Sequence, residues 1–95
     1  MNQEIINKLK AEKNYLQKQY KVTRLGIFGS FVHGKETPES DIDILIEFSE
    51  VPGMREFFST EEYLENIFHR KIDLVREKAI RPELKAQILS EVVYV

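Results

Sequence analysis

The sequence predicts an α/β fold of the α+β kind, in which helices pack on a small mixed β-sheet. Three observations predict it. Helical periodicity opens the chain, and three runs rich in β-branched and aliphatic residues (22–28, 41–48 and 71–76) read as strands. Two further helical patterns, at 54–69 and 82–89, are interleaved with the strands or follow them, which is the pattern of a sheet layered with helices.

Each element has its own signal. The first twenty residues read as one amphipathic helix with Ile5, Leu9, Leu16 and Tyr20 on a shared face, the opposite face being Lys, Glu, Gln and Asn. Residues 22–28 form a strand that runs into a tight turn at Gly29, and Ser30 to His33 makes one helical turn closed by Gly34. A polar loop containing Pro38 then delivers the chain into residues 41–48, the clearest strand, which Pro52 and Gly53 end. In the helix at 54–69, Phe57, Tyr63, Leu64, Ile67 and Phe68 supply an apolar stripe. Residues 71–76 centre on Ile72-Asp73-Leu74-Val75, and Pro82 suits the first turn of a last helix whose Leu84, Ile88 and Leu89 face inward. Residues 92–95 are a β-prone tail.

Composition narrows the functional classes. At 95 residues, with neither repeat nor linker, the chain is expected to be one domain spanning 1–95. Its 42% apolar content predicts folding despite a high charged fraction of 32%. Fourteen Lys and Arg against sixteen Asp and Glu give a net charge of −2, which disfavours direct nucleic-acid binding and any draw to anionic lipid. Cysteine is absent, so disulfides, thiolate metal sites and a cysteine nucleophile are excluded, and a reducing cytoplasm fits. Apolar stretches are short, as at Ile44-Leu45-Ile46, and a signal core or membrane span is not expected.

The chemistry concentrates in a few acids. In a strand, residues two apart point to one face with Cα atoms roughly 6.5 Å apart, so Asp41 and Asp43 project together while Ile42, Ile44 and Ile46 fill the other face. Like charges held so close need a cation, Arg or Lys, or water. A hard divalent cation such as Mg²⁺ meets that need and completes its shell with water and phosphate oxygens. Taken alone, the pair is equally a solvated strand entrance. Asp73, flanked by Ile72 and Leu74, is a mid-strand acid that sheet propensity disfavours. Alone it reads as an edge-strand charge that discourages edge-to-edge pairing. If its strand neighbours that of Asp43, three carboxylates converge, the donor set of a two-metal phosphoryl-transfer site.

Gly29-Ser30, between a strand and a helical turn, is a candidate phosphate turn: glycine permits close backbone approach, and Ser30 offers a hydroxyl and an amide. The plainer reading is an ordinary turn with Ser30 as N-cap. Residues 29–35 also match the first seven places of the P-loop pattern, but Glu36 stands where Ser or Thr must hold Mg²⁺ and Pro38 leaves no room for the following helix, so that reading fails. A calcium loop from Asp41 fails as well, because Leu45 and Ile46 replace an oxygen ligand and the turn glycine. His33 and His69 lack the partners of a hydrolytic triad and read as surface histidines.

Gly29-Ser30, a ten-residue gap, Asp41-x-Asp43 and the later Asp73 together closely resemble the minimal nucleotidyltransferase (MNT) domains of the DNA polymerase β superfamily. The likeness covers nearly the whole chain, including the Arg81-Pro82-Glu83-Leu84 helix start. The resemblance implies a polymerase β palm-like nucleotidyltransferase fold. It further implies that Gly29 and Ser30 bind the triphosphate of ATP and that Asp41, Asp43 and Asp73 hold two Mg²⁺ ions, with Asp73 also helping to deprotonate the acceptor. Many relatives carry a small residue and arginine where this chain has Val32-His33, a departure that weakens a phosphate-facing cation and leaves His33 as the candidate substitute. Members this small resemble the antitoxin halves of HEPN/MNT toxin–antitoxin pairs, which transfer AMP from ATP to a tyrosine of a helical toxin. The implied function is therefore protein adenylylation within a hetero-oligomer. Two alternatives stand beside it: an antitoxin that neutralises its toxin by binding alone, and a nucleotidyltransferase acting on a small hydroxylic molecule.

Overall fold

In the computed structural model, residues 3–95 are described, and they form a four-stranded mixed sheet with helices on both faces. The elements are α1 (Gln3–Ala11), α2 (Lys13–Tyr20), β1 (Val22–Phe28), α3 (Ser30–His33), β2 (Ile42–Phe48), α4 (Met54–Phe68), β3 (Ile72–Arg76), a short 3₁₀ turn (Glu77–Ala79), α5 (Pro82–Glu91) and β4 (Val93–Tyr94). The sheet order is β3-β2-β1-β4. β1 runs antiparallel to both β2 and β4, whereas β2 and β3 are parallel, as their connection through α4 requires.

The main core lies on one face of the sheet. Ile42, Ile44 and Ile46 are fully buried there, as their alternation with Asp41 and Asp43 predicts, against Leu9 of α1, Leu16 of α2 and Leu64 of α4. A second, smaller core of Phe28, Leu45 and Ile80 lies on the opposite face, where Val75, Ile88, Leu89 and Val92 cover it. β2 is therefore buried on both sides over most of its length, which is why Leu45 interrupts a simple in–out pattern.

Three local expectations change. The opening helix is two helices: Glu12 interrupts it, with its amide bonded to the Leu9 carbonyl three residues back and its carboxylate receiving the Tyr63 hydroxyl from α4. Because the break is held by a tertiary contact, no Gly or Pro marks it. Ile6 joins the buried core, and Ile5 packs against it half-buried. In α5, Leu84 is 45% exposed, because the helix meets the sheet only through its last turns, at Ile88 and Leu89. On α4 the buried stripe is Thr60, Leu64 and Phe68, while Phe57, Tyr63 and Ile67 flank it half-buried. Thr60 satisfies its hydroxyl on the Glu56 carbonyl at 2.8 Å.

Gly26, in mid-β1, has a packing reason: a Cβ there would stand 2.8 Å from Val92 Cγ2, where the chain crosses from α5 into β4. The β-prone tail pairs with β1 as expected, and Val95 N adds a bond to the Leu25 carbonyl at 2.9 Å. No helix of the described residues is long and apolar enough to cross a membrane.

A buried ion pair closes the far end of the sheet. Glu47, only 4% exposed, accepts hydrogen bonds from Arg76 Nε (3.1 Å) and Nη2 (2.9 Å), from the Lys78 amide (3.0 Å) and from the Phe48 amide (3.1 Å). Burial raises the pKa of its carboxyl, but the two amides and Arg76 outweigh burial and hold it below the usual carboxylate value. The stability this pair contributes is complete above the unfolded value of 4.5 and is lost as pH falls through the lowered folded value. Arg76→Ala, which strands the carboxylate, should destabilise the fold by about 3 kcal/mol at neutral pH. Urea unfolding at several pH values should show that loss shrinking toward acid.

Candidate active site

Antiparallel pairing of β1 with β2 sets Phe28 opposite Asp43, so the Gly29 turn that leaves β1 stands beside the acid that enters β2. The contact leaves no space between them. Gly29 has φ +78°, a backbone state that L-residues rarely adopt, and a Cβ there would overlap Asp43 Oδ2. Gly29, not Ser30, is the N-cap of α3, and Ser30 is the first helical residue, half-buried. The Val32 and His33 amides turn back to the Gly29 carbonyl at 3.1 and 3.3 Å. The first amides of such a turn have no partner within the helix and are free for an anion.

On the other side of β2, parallel pairing sets Asp43 directly opposite Asp73 in β3. The two strands are thus neighbours, and the condition for convergence is met. Asp73 is exposed on the edge strand, so its edge-strand character and its place beside Asp43 are both true. Asp41 lies just ahead of β2 and is exposed. Asp43 is the half-buried member. Burial, then the charge of Asp73 and a hydrogen bond with it, then the charges of Asp41 and Glu91 push its carboxyl up to about 6. Along the β3 side, burial and the charges of Glu65 and Asp73 also raise the pKa of Glu61.

Among the described residues, no three His, Cys, Asp or Glu side chains form a finished metal-binding group. The acids instead gather around Asp43 in an open array. Hard-oxygen donors crowded to the point of holding a proton have the chemistry that a divalent cation relieves, with water or phosphate oxygens as the remaining ligands.

Sequence reasoning missed Glu91. It comes from the last residue of α5 to within electrostatic reach of Asp43, and its carboxylate stands 2.7 Å from His33 Nε2. His33 is exposed, as expected of a surface histidine, but its ring nitrogen faces this carboxylate. The available signal was an acid at a helix C-terminus, where the helix dipole disfavours it unless a partner is near.

A family profile described as Polymerase beta, Nucleotidyltransferase matches residues 10–95. The protein adenylyltransferase MntA of Thermococcus cleftensis is 39% identical over 93 residues, covering 98% of this chain and 94% of that protein. A solved structure provisionally named a minimal nucleotidyltransferase superposes with a TM-score of 0.81 at 26% identity, over 98% of this chain and 95% of its own. The structure of a tri-AMPylated Shewanella oneidensis HEPN toxin in complex with an MNT antitoxin gives a TM-score of 0.66 over 94% of this chain and 68% of that chain; at 20% identity it shows the fold alone.

The crowding at Asp43 has a measurable cost. A carboxyl raised from 3.8 to about 6 stabilises the fold below pH 3.8 and loses that stabilisation as pH rises through 6. Discounted for the solvent reaching a half-buried side chain, the loss is on the order of 1 kcal/mol. Asp43→Asn should therefore raise the thermal midpoint of the metal-free protein by roughly 5 °C at pH 8 and leave it nearly unchanged at pH 4, as read by melts in chelator. With the profile matching most of its length and a relative 39% identical across nearly all of it, the chain belongs to the Polymerase beta nucleotidyltransferase family.

Proposed function

We propose that the protein transfers AMP from ATP to a protein hydroxyl, a tyrosine of a HEPN-type toxin with which it assembles in the cytoplasm, and so acts as an antitoxin. The observation that carries this reading is the sheet register that sets the Gly29-Ser30 turn against Asp43 and Asp43 against Asp73. The adenylyltransferase relative and the AMPylated toxin complex support the donor and the partner class.

In this reading Asp41, Asp43 and Asp73 hold two Mg²⁺ ions, which would supply charge neutralisation for the triphosphate. Ser30 and the free amides of its turn bind the β- and γ-phosphates. Asp73, on the open edge of the sheet, faces the side from which an acceptor can approach, and it takes the acceptor's hydroxyl proton. A bond forms from the acceptor oxygen to the α-phosphorus, and the bond to the pyrophosphate oxygen breaks. Transfer of this kind depends on positioning and charge more than on covalent machinery, which is why so small a site suffices.

Neutralisation by binding alone keeps one observation in its favour: Met54 and Phe58 are 77% and 55% exposed beside a groove floored by Leu74 and Val75, an apolar surface apart from the acids. Incubation with α-labelled ATP, Mg²⁺ and the HEPN partner should label the partner on tyrosine. The double variant Asp41→Asn, Asp43→Asn should reduce labelling by at least about a thousandfold, the scale of lost electrostatic catalysis. Labelling that survives the double variant overturns the reading, and an unlabelled toxin still neutralised by the variant establishes neutralisation by binding alone.

A further inference from the structure

The segment between α3 and β2, residues 34–41, has no regular structure, yet it delivers Asp41 to the site. Its internal bonds form one turn: the Thr37 amide donates to Ser40 Oγ at 2.8 Å, and the Ser40 amide donates to the Thr37 carbonyl at 3.0 Å. The Lys35 amide ties the start of the segment to the Ser30 carbonyl at 3.0 Å, and one side chain from just ahead of β3 holds its other end. Arg70 Nη1 donates to the carbonyls of Thr37, Pro38 and Ser40 at 3.3, 3.1 and 3.0 Å. The same guanidinium lies over the ring of buried Phe31, 5.2 Å from its centroid.

Arg70 reaches this place because α4 ends at His69 in the left-handed conformation, φ 54°, which turns the chain toward β3. One residue later the Lys71 carbonyl accepts the Ile42 amide at 3.0 Å, so β2 and β3 begin to pair beside it. The guanidinium therefore touches the α3 turn next to Ser30 and the loop ahead of Asp41, from a backbone position three residues before Asp73. Among the described residues its partners are neutral carbonyls and a ring, with no carboxylate to neutralise it. A planar fork that hydrogen-bonds while it stacks is an arginine task, and a lysine ammonium performs only half of it.

We propose that Arg70 is a positioning residue, whose guanidinium locks the 37–40 turn and α3 together and so fixes Asp41 relative to Asp43 and Asp73. The sheet ladder already holds Asp43 and Asp73, whereas Asp41 precedes the ladder and depends on its loop. Removing the guanidinium loosens one member of the acid array and leaves the other two in register. The consequence for nucleotidyl transfer rests on the function proposed above; the locking itself does not.

The test uses Arg70→Met and Arg70→Lys in the full chain. Hydrogen exchange of the amides at residues 37–42 should accelerate about tenfold or more in Arg70→Met, the scale of losing hydrogen bonds to a charged donor, with the centres of β1 and β2 unchanged. Mn²⁺ binding in the presence of a non-hydrolysable ATP analogue, read by electron paramagnetic resonance, should weaken about tenfold, the same loss read at the metal. In AMP transfer, kcat should fall further than KM for ATP rises. Arg70→Lys should fall between, and added guanidinium ion should restore part of the loss in Arg70→Met. Unchanged exchange at 37–42, or acceleration shared equally by β1 and β2, overturns the proposal. A wild-type chain that transfers no AMP overturns the function, while the exchange measurement still decides the lock.

Discussion

The carboxylate of Asp43 occupies the space in which any side chain at position 29 would stand. That single steric fact ties the Gly29-Ser30 turn to the acids. It requires a glycine with positive φ where β1 ends, it sets how closely the turn approaches the start of β2, and it holds the carboxylate where Asp73 and Glu91 also act on it. The result is a fold that works against itself at one corner, because burial and three neighbouring acids all oppose the ionisation of Asp43 at neutral pH. Hydrophobic burial elsewhere, with Ile42, Ile44 and Ile46 fully inside, offsets the strain. Such local opposition between stability and charge is expected where a site must be completed by its ligand.

The parts of this architecture that follow periodicity were legible in the sequence. Alternation placed β2, β-branched runs placed β1 and β3, and Pro82 with the apolar spacing placed α5. The mid-strand Asp73 was legible as an anomaly, and the neighbouring of its strand with β2 turned the anomaly into a constellation. Contacts between elements remote in sequence were illegible. The break at Glu12 depends on a hydroxyl from α4, the burial of Glu47 on Arg76, and the place of Glu91 on the way α5 docks. Arg70 shows the same limit: a basic residue after a helix carries no local sign that three carbonyls thirty or more residues earlier will converge on it. Leu84 shows the converse, an apolar residue at helical spacing that the described elements leave 45% exposed.

The acids and the apolar groove divide the molecule's surface. The carboxylates gather where β1 ends and where β2 and β3 begin, whereas the groove beside Phe58 and Val75 lies toward the start of α4 and the end of β3. The two regions can therefore be altered separately by substitution. Between them Glu47 and Arg76 pin β2 to β3 near its C-terminal end, so a partner that settles on the groove rests on a braced part of the sheet.

The two-sided burial of β2 also has a temporal consequence. The buried members of the larger core all precede residue 77, with only Val93 and Val95 added to its margin later, while Ile80, Ile88, Leu89 and Val92, which shield Phe28 and Leu45, follow. As the polypeptide emerges from the ribosome, one side of the sheet is able to collapse while the other still shows its apolar residues to solvent. A chain that collapsed before residues 77–95 joined it would carry an acid-lined rim and a bare apolar back. In that state a chaperone, or premature contact with another nascent chain, has most to act upon.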